Sequence, residues 1–289
     1  MNYLSQLFQN LKELTKFAPG ADGMTSLDDM EAAARSAHKR ICTVITGAIY
    51  DEVVDHGGDE LKDPLRMAMA NMTLYVQLTF DVINRRKNDV DVYKYELEGM
   101  KRSYVENYYN AMDSLISQIA KAGDESRLAE LWKDSRYGKL IDACQVKTAD
   151  EFDTIYPIDG SQLFFFRTLP IQKEVIDSRL GGYFEKSADN DRVAAMLRLI
   201  LCKKVVATAL RRFDILECPT TIRNLFDDST VSGQRKDERE QAQSLADMLD
   251  READELLDTV DTLLSADTHL DVSSMSAYNT PEDNIVMMP

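Results

Sequence analysis

Side-chain chemistry in this 289-residue sequence would have to come from a short list: three histidines (His38, His56, His269), four cysteines (Cys42, Cys144, Cys202, Cys218) and a large stock of carboxylates. Zinc and di-iron sites on helices need ligands repeated one turn apart, and no such motif is read around the histidines. His56 precedes Gly57-Gly58, where a cation suits a helix C-terminus. His38, beside Lys39 and Arg40, is placed on the polar side of its helix. The cysteines form no C-x-x-C and are expected to be reduced core residues. No P-loop, dinucleotide glycine fingerprint or G-x-S-x-G elbow occurs. Gly181-Gly182 is too short to cradle a phosphate and is expected to let two helices cross closely. Neither a metal nor a cofactor is expected, and no catalytic residue is assigned.

The carboxylates are unevenly spread. The chain carries 34 Lys and Arg against 50 Asp and Glu, a net charge of −16. Between Gln234 and Asp271 twelve acids face four bases, a net of −8 and half of the total. The run Asp247, Asp250, Glu252, Asp254, Glu255, Asp258, Asp261 lacks the alternating acids and glycine turn of a calcium loop, so a solvated helix face is expected. Such acidity disfavours general nucleic-acid binding. Arg85-Arg86-Lys87 and Arg211-Arg212 are the small basic clusters, either of which could meet an acidic neighbour; solvated helix ends are the simpler expectation.

These residues must be positioned by helices. Only 12 Gly and 7 Pro punctuate the chain. Apolar residues recur at helical spacing over 3–17, 26–56, 61–83, 90–121, 161–186, 189–216 and 234–266. Pro64 is placed in the first turn of its helix, where a missing amide proton costs nothing. The 234–266 helix carries an apolar stripe of Ala242, Leu245, Leu249, Leu256, Val260 and Leu263, suited to docking on its own domain or on a neighbour. No apolar run reaches the length of a membrane span, and the first eight residues lack the features of a signal peptide.

Residues 123–160 read as short helical pieces and turns: Leu128–Trp132, then Tyr137-Gly138, then a brief helix after Thr148. Trp132, Tyr137, Phe152, Tyr156 and Phe164–Phe166 crowd into the 35 residues from 132 to 166, and burial at a junction is expected over a contact surface. Thr148-Ala149-Asp150-Glu151 is a capping box. Across this middle the sequence resembles itself. Shifted by 135 residues, Ile176, Leu180, Gly182 and Phe184 fall on Ile41, Ile45, Gly47 and Ile49. Shifted by 133, Phe213–Leu216 falls on Phe80–Ile83; shifted by 141, Asp254, Leu256 and Val260 fall on Asp113, Leu115 and Ile119. The expected fold is all-α: two tandem three-helix units (26–122 and 161–266), an N-terminal helix and linker (1–25), a connecting segment (123–160) and an extended tail (267–289).

The stretches Lys133–Tyr137, Leu140-Ile141, Thr148–Phe152, Ile158-Asp159-Gly160-Ser161, and Phe166 with Leu169-Pro170 leading to Leu180-Gly181 resemble a family of structural proteins from tailed-phage and prophage genomes of gut bacteria. The duplicated helical unit is similar in style to their head–tail connector (adaptor) proteins, although connectors are usually single-copy. The resemblance implies a virion component made in the host bacterial cytoplasm. Its copies would form a ring that meets the portal protein on one side and tail or neck proteins on the other, with DNA passing and not gripped. It also implies partner contacts from the terminal segment, Tyr278, Pro281, Ile285, Val286, Met287 and Met288, to which Arg85 and Arg86 are added as the basic cluster. The alternative is a non-virion cytosolic adaptor or regulator binding one protein; an enzyme is the third reading.

Overall fold

The structure, a computed structural model, describes residues 2–19, 26–87, 94–123, 126–187, 190–223 and 235–269, with side chains left out at 82–87, 94–96, 235–237 and 266–269. It is all-α, with no strand among the described residues.

The N-terminal segment is two helices where the periodicity predicts one: α1 (Tyr3–Leu7) and α2 (Leu11–Phe17). Asn10 interrupts it, its Oδ1 accepting the Glu13 amide at 3.1 Å while Glu13 accepts the Gln9 amide at 2.7 Å. The break lets Leu4, Leu7, Phe8 and Leu14 all reach the core. Ser26 and Asp29 exchange backbone–side-chain bonds at the next start, as its sequence suggests. The helix that follows is also broken, into α3 (Glu31–Ile45) and α4 (Gly47–His56), with Thr46 alone between them.

Two long helices complete the first set, α5 (Asp59–Lys87) and α6 (Lys94–Ala120). Helix α5 begins two residues earlier than expected, so Pro64 lies inside it and not in its first turn. The two pack along each other and α3 lies against α5; Leu65, Met69 and Met72 of α5 and Tyr104, Tyr108, Met112, Leu115 and Ile119 of α6 are buried, with Arg40 of α3 reaching Met72 Sδ at 3.6 Å. Asn71 fixes the N-terminal helices here, donating to the carbonyls of Phe17 (3.0 Å) and Met67 (2.8 Å).

The middle consists of short helices and turns, as its sequence predicts: α7 (Arg127–Asp134), α8 (Gly138–Ile141) and α9 (Ala149–Ile155). The capping box is present, with the Thr148 hydroxyl accepting the Glu151 amide at 3.1 Å and Glu151 accepting that of Lys147 at 3.0 Å.

The second set starts with α10 (Gln162–Val175), a π turn (Ile176–Leu180) and α11 (Gly181–Lys186), run together without a break. A Cβ at Gly182 would meet nothing and one at Gly181 only the Ile176 carbonyl at 3.2 Å. The expected close helix crossing is therefore absent; Gly181 relieves crowding against its own π turn. Helix α12 (Asp191–Arg212), a 3-10 turn (Ile215–Glu217), α13 (Thr220–Arg223) and α14 (Arg235–His269) follow. Helix α14 docks on α12 of its own chain with Ala242, Leu245, Leu249 and Val260 buried.

Candidate functional site

The two helical sets meet at the turn Ile158-Asp159-Gly160-Ser161. Asp159 and Gly160 both take left-handed backbone conformations, φ 58 and 61, giving a tight reversal that Asp-Gly sequences favour. Three aspartates fasten it. Asp153 Oδ1 accepts the amides of Ile158 (2.7 Å) and Gly160 (3.0 Å). Asp159 accepts the Thr221 amide at 2.9 Å and the Thr221 hydroxyl, tying the turn to α13. Asp113, reaching over from α6, accepts the Ser161 hydroxyl at 2.7 Å and the Leu163 amide at 2.9 Å. Ser161 also accepts the Phe164 amide at 3.1 Å, so one hydroxyl caps α10 and binds it to the other set.

Beside the turn lies a polar cleft of about 300 Å³, lined among others by Glu106, Asp113, Asp159, Glu217 and Arg223. Clustered carboxylates in a cleft are what acid–base chemistry would require. Here each one holds another part of the chain. Glu106 accepts from Arg223 at 2.9 Å, and Glu217 accepts from Arg167. Arg167 lies 5.1 Å from the centre of the Phe213 ring and donates to the Tyr137 hydroxyl at 3.3 Å. Burial pulls the Arg167 pKa down, but the hydrogen bond and charge of Glu217, with Tyr137, hold it above its ordinary value. Tyr108 and Tyr109 are pushed up, first by burial and then by Glu217.

Packing at this junction is aromatic. Trp132 meets Phe166 edge-on at 4.8 Å, Phe165 meets Phe166 at 5.3 Å and Phe164 meets Phe213 at 6.3 Å. Trp132, Tyr137, Phe152 and Phe164–Phe166 are buried, as the crowding of rings in the sequence predicts, and Tyr156 is half-buried.

The acidic run of α14 is a solvated face, as expected, with Asp247, Asp254, Glu255, Asp258 and Asp261 exposed, but one edge of it also forms ion pairs. Lys203 pairs with Glu252, and Lys204 with Asp254 at 2.7 Å and Asp250 at 3.7 Å. Arg211 pairs with Asp247 at 2.7 Å and Asp250 at 2.6 Å. Four acids of the run are thus matched by the bases of α12, since the apolar stripe turns that edge of the helix toward its neighbour. Arg212 forms a two-pronged pair with Glu174 at 2.6 and 2.7 Å, so the Arg211-Arg212 cluster meets acids within its own chain.

His38 is not on a polar face. It stacks on Tyr3 (centroids 3.9 Å apart), meets Tyr50 edge-on at 4.5 Å, and places Nε2 3.3 Å from Cys42 Sγ. The spacing of four that brings His38 and Cys42 together is plain in the sequence and is missed by a search confined to full ligand sets. Burial lowers the His38 pKa against the opposing charge of Asp51, and burial followed by Asp51 raises Cys42 to about 11, so the pair is neutral imidazole and thiol near pH 7. Burial likewise raises Cys144 to about 11 and Cys218 to about 12. All four cysteines are free; three are buried and Cys42 is half-buried. His56 ends α4 with Glu52 at 3.3 Å, in the position expected for it.

Tyr278, Pro281, Ile285, Val286, Met287, Met288 and His269's side chain lie outside what is described, as do the side chains of Arg85 and Arg86 at the end of α5. Among the described residues no cluster of three or more His, Cys, Asp or Glu is placed to hold a metal, and no helix is long and apolar enough to cross a membrane. Comparison with protein families, curated proteins and solved structures finds no significant match to this chain.

Proposed function

We propose that this chain is a structural subunit of a tailed-phage particle, a head–tail connector that forms a ring with other copies of itself between the portal and the tail. One observation carries the reading: several residues of the resemblance, Asp159 and Ser161 of the turn and the buried rings of Tyr137, Phe152 and Phe166, lie where the two helical sets are fastened. A motif devoted to fixing one helical set against another suits a subunit that must keep its shape in an assembly. It therefore acts without a catalytic step or cofactor. Rings of this kind close by heterologous contacts repeated around an axis.

The tandem duplication belongs to the same proposal. Two features support it: two long antiparallel helices come both before and after the middle, and the break at Thr46 and the end of the π turn at Leu180-Gly181 lie near the sequence offset of 135. DNA passes such a ring along exposed acids, among them Asp51, Asp55, Asp59 and Glu60 at the α4–α5 corner and Glu255 and Asp258 on α14, which repel phosphates. The terminal segment and the Arg85-Arg86 cluster supply contacts to portal, tail or neck proteins. The subunit resides in the virion after synthesis in the host bacterial cytoplasm.

Mass spectrometry of purified particles together with electron microscopy of the assembled protein tests the reading. The expected result is a fixed copy number per particle and a closed ring. Absence from particles, with a small complex formed instead with one soluble protein, would establish the cytosolic adaptor in its place. Deleting residues 267–289 is expected to leave thermal unfolding unchanged and to abolish ring formation.

A further inference from the structure

We infer that α4 is a hinged segment, held against the first helical set in a strained conformation and able to swing about Thr46 into line with α3. Thr46 ends α3 and caps α4 with φ 75 and ψ 156. That backbone region is essentially reserved for glycine, and a β-branched side chain is the poorest occupant. The sequence does not ask for a break there. Ala37, Ile41, Val44, Ile45, Ala48 and Ile49 keep one helical period straight through it. Local preference and observed structure therefore conflict at a single residue.

Two further features show that α4 is imperfectly seated. The Tyr50 hydroxyl is buried with no hydrogen-bond partner, a cost that solvent would remove. Beside the last turn of α4 lies an open cleft of about 240 Å³ lined by Val53, His56, Leu61 and Leu128. Even the cap is weak: the Thr46 hydroxyl accepts the Ile49 amide at 3.5 Å. What holds α4 down is packing alone, the full burial of Ile49, Tyr50 and Val53 and the edge contact of Tyr50 on His38. The in-line form has a counterpart in the second set. There the helix passes through Ile176–Leu180 as a π turn, with Leu180 and Gly181 both in the right-handed region.

The test uses the full chain with nitroxide labels on unnatural amino acids at the exposed positions 35 and 55, so that the native cysteines stay untouched. A continuous helix separates these positions by about 30 Å along its axis. In the double variant Thr46→Ala, Gly47→Ala, helix preference opposes the break, and an added Cβ at Gly47 meets nothing within 4 Å. This variant is expected to move population from a shorter distance to one near 30 Å, several-fold above the unaltered chain. Thr46→Gly relieves the strained form and is expected to slow hydrogen exchange of the α4 amides by roughly five-fold or more relative to those of α5. The inference is overturned if the double variant keeps the short distance alone, or if Thr46→Gly leaves α4 exchange unchanged. Should the double variant not fold, exchange in Thr46→Gly decides.

Discussion

The two long helix pairs solve one packing problem in different ways. The first pair, packed with α3, rests on buried methionine, leucine and tyrosine side chains: Leu65, Met69 and Met72 of α5 and Tyr104, Tyr108, Met112 and Leu115 of α6. The seam between α12 and α14 has a narrower apolar stripe edged by Lys203, Lys204 and Arg211, each facing acids of the partner helix. Burial is non-directional, whereas the charge pairs orient the helices, because Lys203, Lys204 and Arg211 line one edge of α12 and meet acids when the acidic edge of α14 is turned toward them. The first pair is thus built for strength and the second for alignment.

That contrast can be broken at Met72. Met72→Ala should cost about 2–5 kcal/mol of stability, by chemical denaturation, and the loss should be the same at low and high salt. A markedly salt-dependent loss would mean that charge also governs the first seam.

Lys204 sharpens the other side. Its side chain is 3% exposed, while its partner Asp254 is 58% exposed. Lys204→Ala should lose about 2 kcal/mol, mostly packing of the alkyl stem. Lys204→Met should stay within about 1 kcal/mol of the original, since the released acids reach water. A loss from the methionine variant as large as from alanine would show the charge pair itself to be the stronger term.

The smallest effect concerns pH. The Arg211 hydrogen bond, then that of Gln243, holds Asp247 below its ordinary 3.8, and Arg212 does the same for Glu174 below 4.5. A depressed carboxylate pKa contributes stability above the unfolded value, and this is lost as pH falls through the folded one. Hydrogen exchange around residues 244–252 should therefore quicken below roughly pH 4, before that of α5, with a modest amplitude because these groups are exposed. Arg211→Ala should erase the difference. An acid response that persists in that variant would assign it to other groups.

Sequence made the helices legible wherever the signal was local. The long apolar periods over 61–83, 90–121 and 234–266 correspond to α5, α6 and α14, and the capping box at Thr148–Glu151 marks a true start. Three interruptions are legible only in part. Asn10 offers a cap that the surrounding leucines conceal, the π turn at Ile176 leaves the helical period nearly intact, and Thr46 is broken by tertiary packing against its own preference. The junction was visible as a turn but not as a clamp. Asp113 sits on a regular helix face, and its link to Ser161 spans 48 residues, a pairing that only the fold discloses. The acidic run was visible as charge, but its partners lie on a helix some forty residues earlier, and spacing within α14 carries no trace of them.

Helix α14 has a mechanical consequence. Its Glu238 is held by Arg102 of α6 at 3.1 Å, and its Asp261 is met by the Tyr183 hydroxyl at 3.2 Å. Between those anchors the helix runs about 35 Å at 1.5 Å per residue. It is therefore a strut that joins the first helical set to the far end of the second. A pull between the sets along this axis loads a continuous ladder of backbone hydrogen bonds and meets high stiffness. A push across the axis works only against side-chain contacts and meets little.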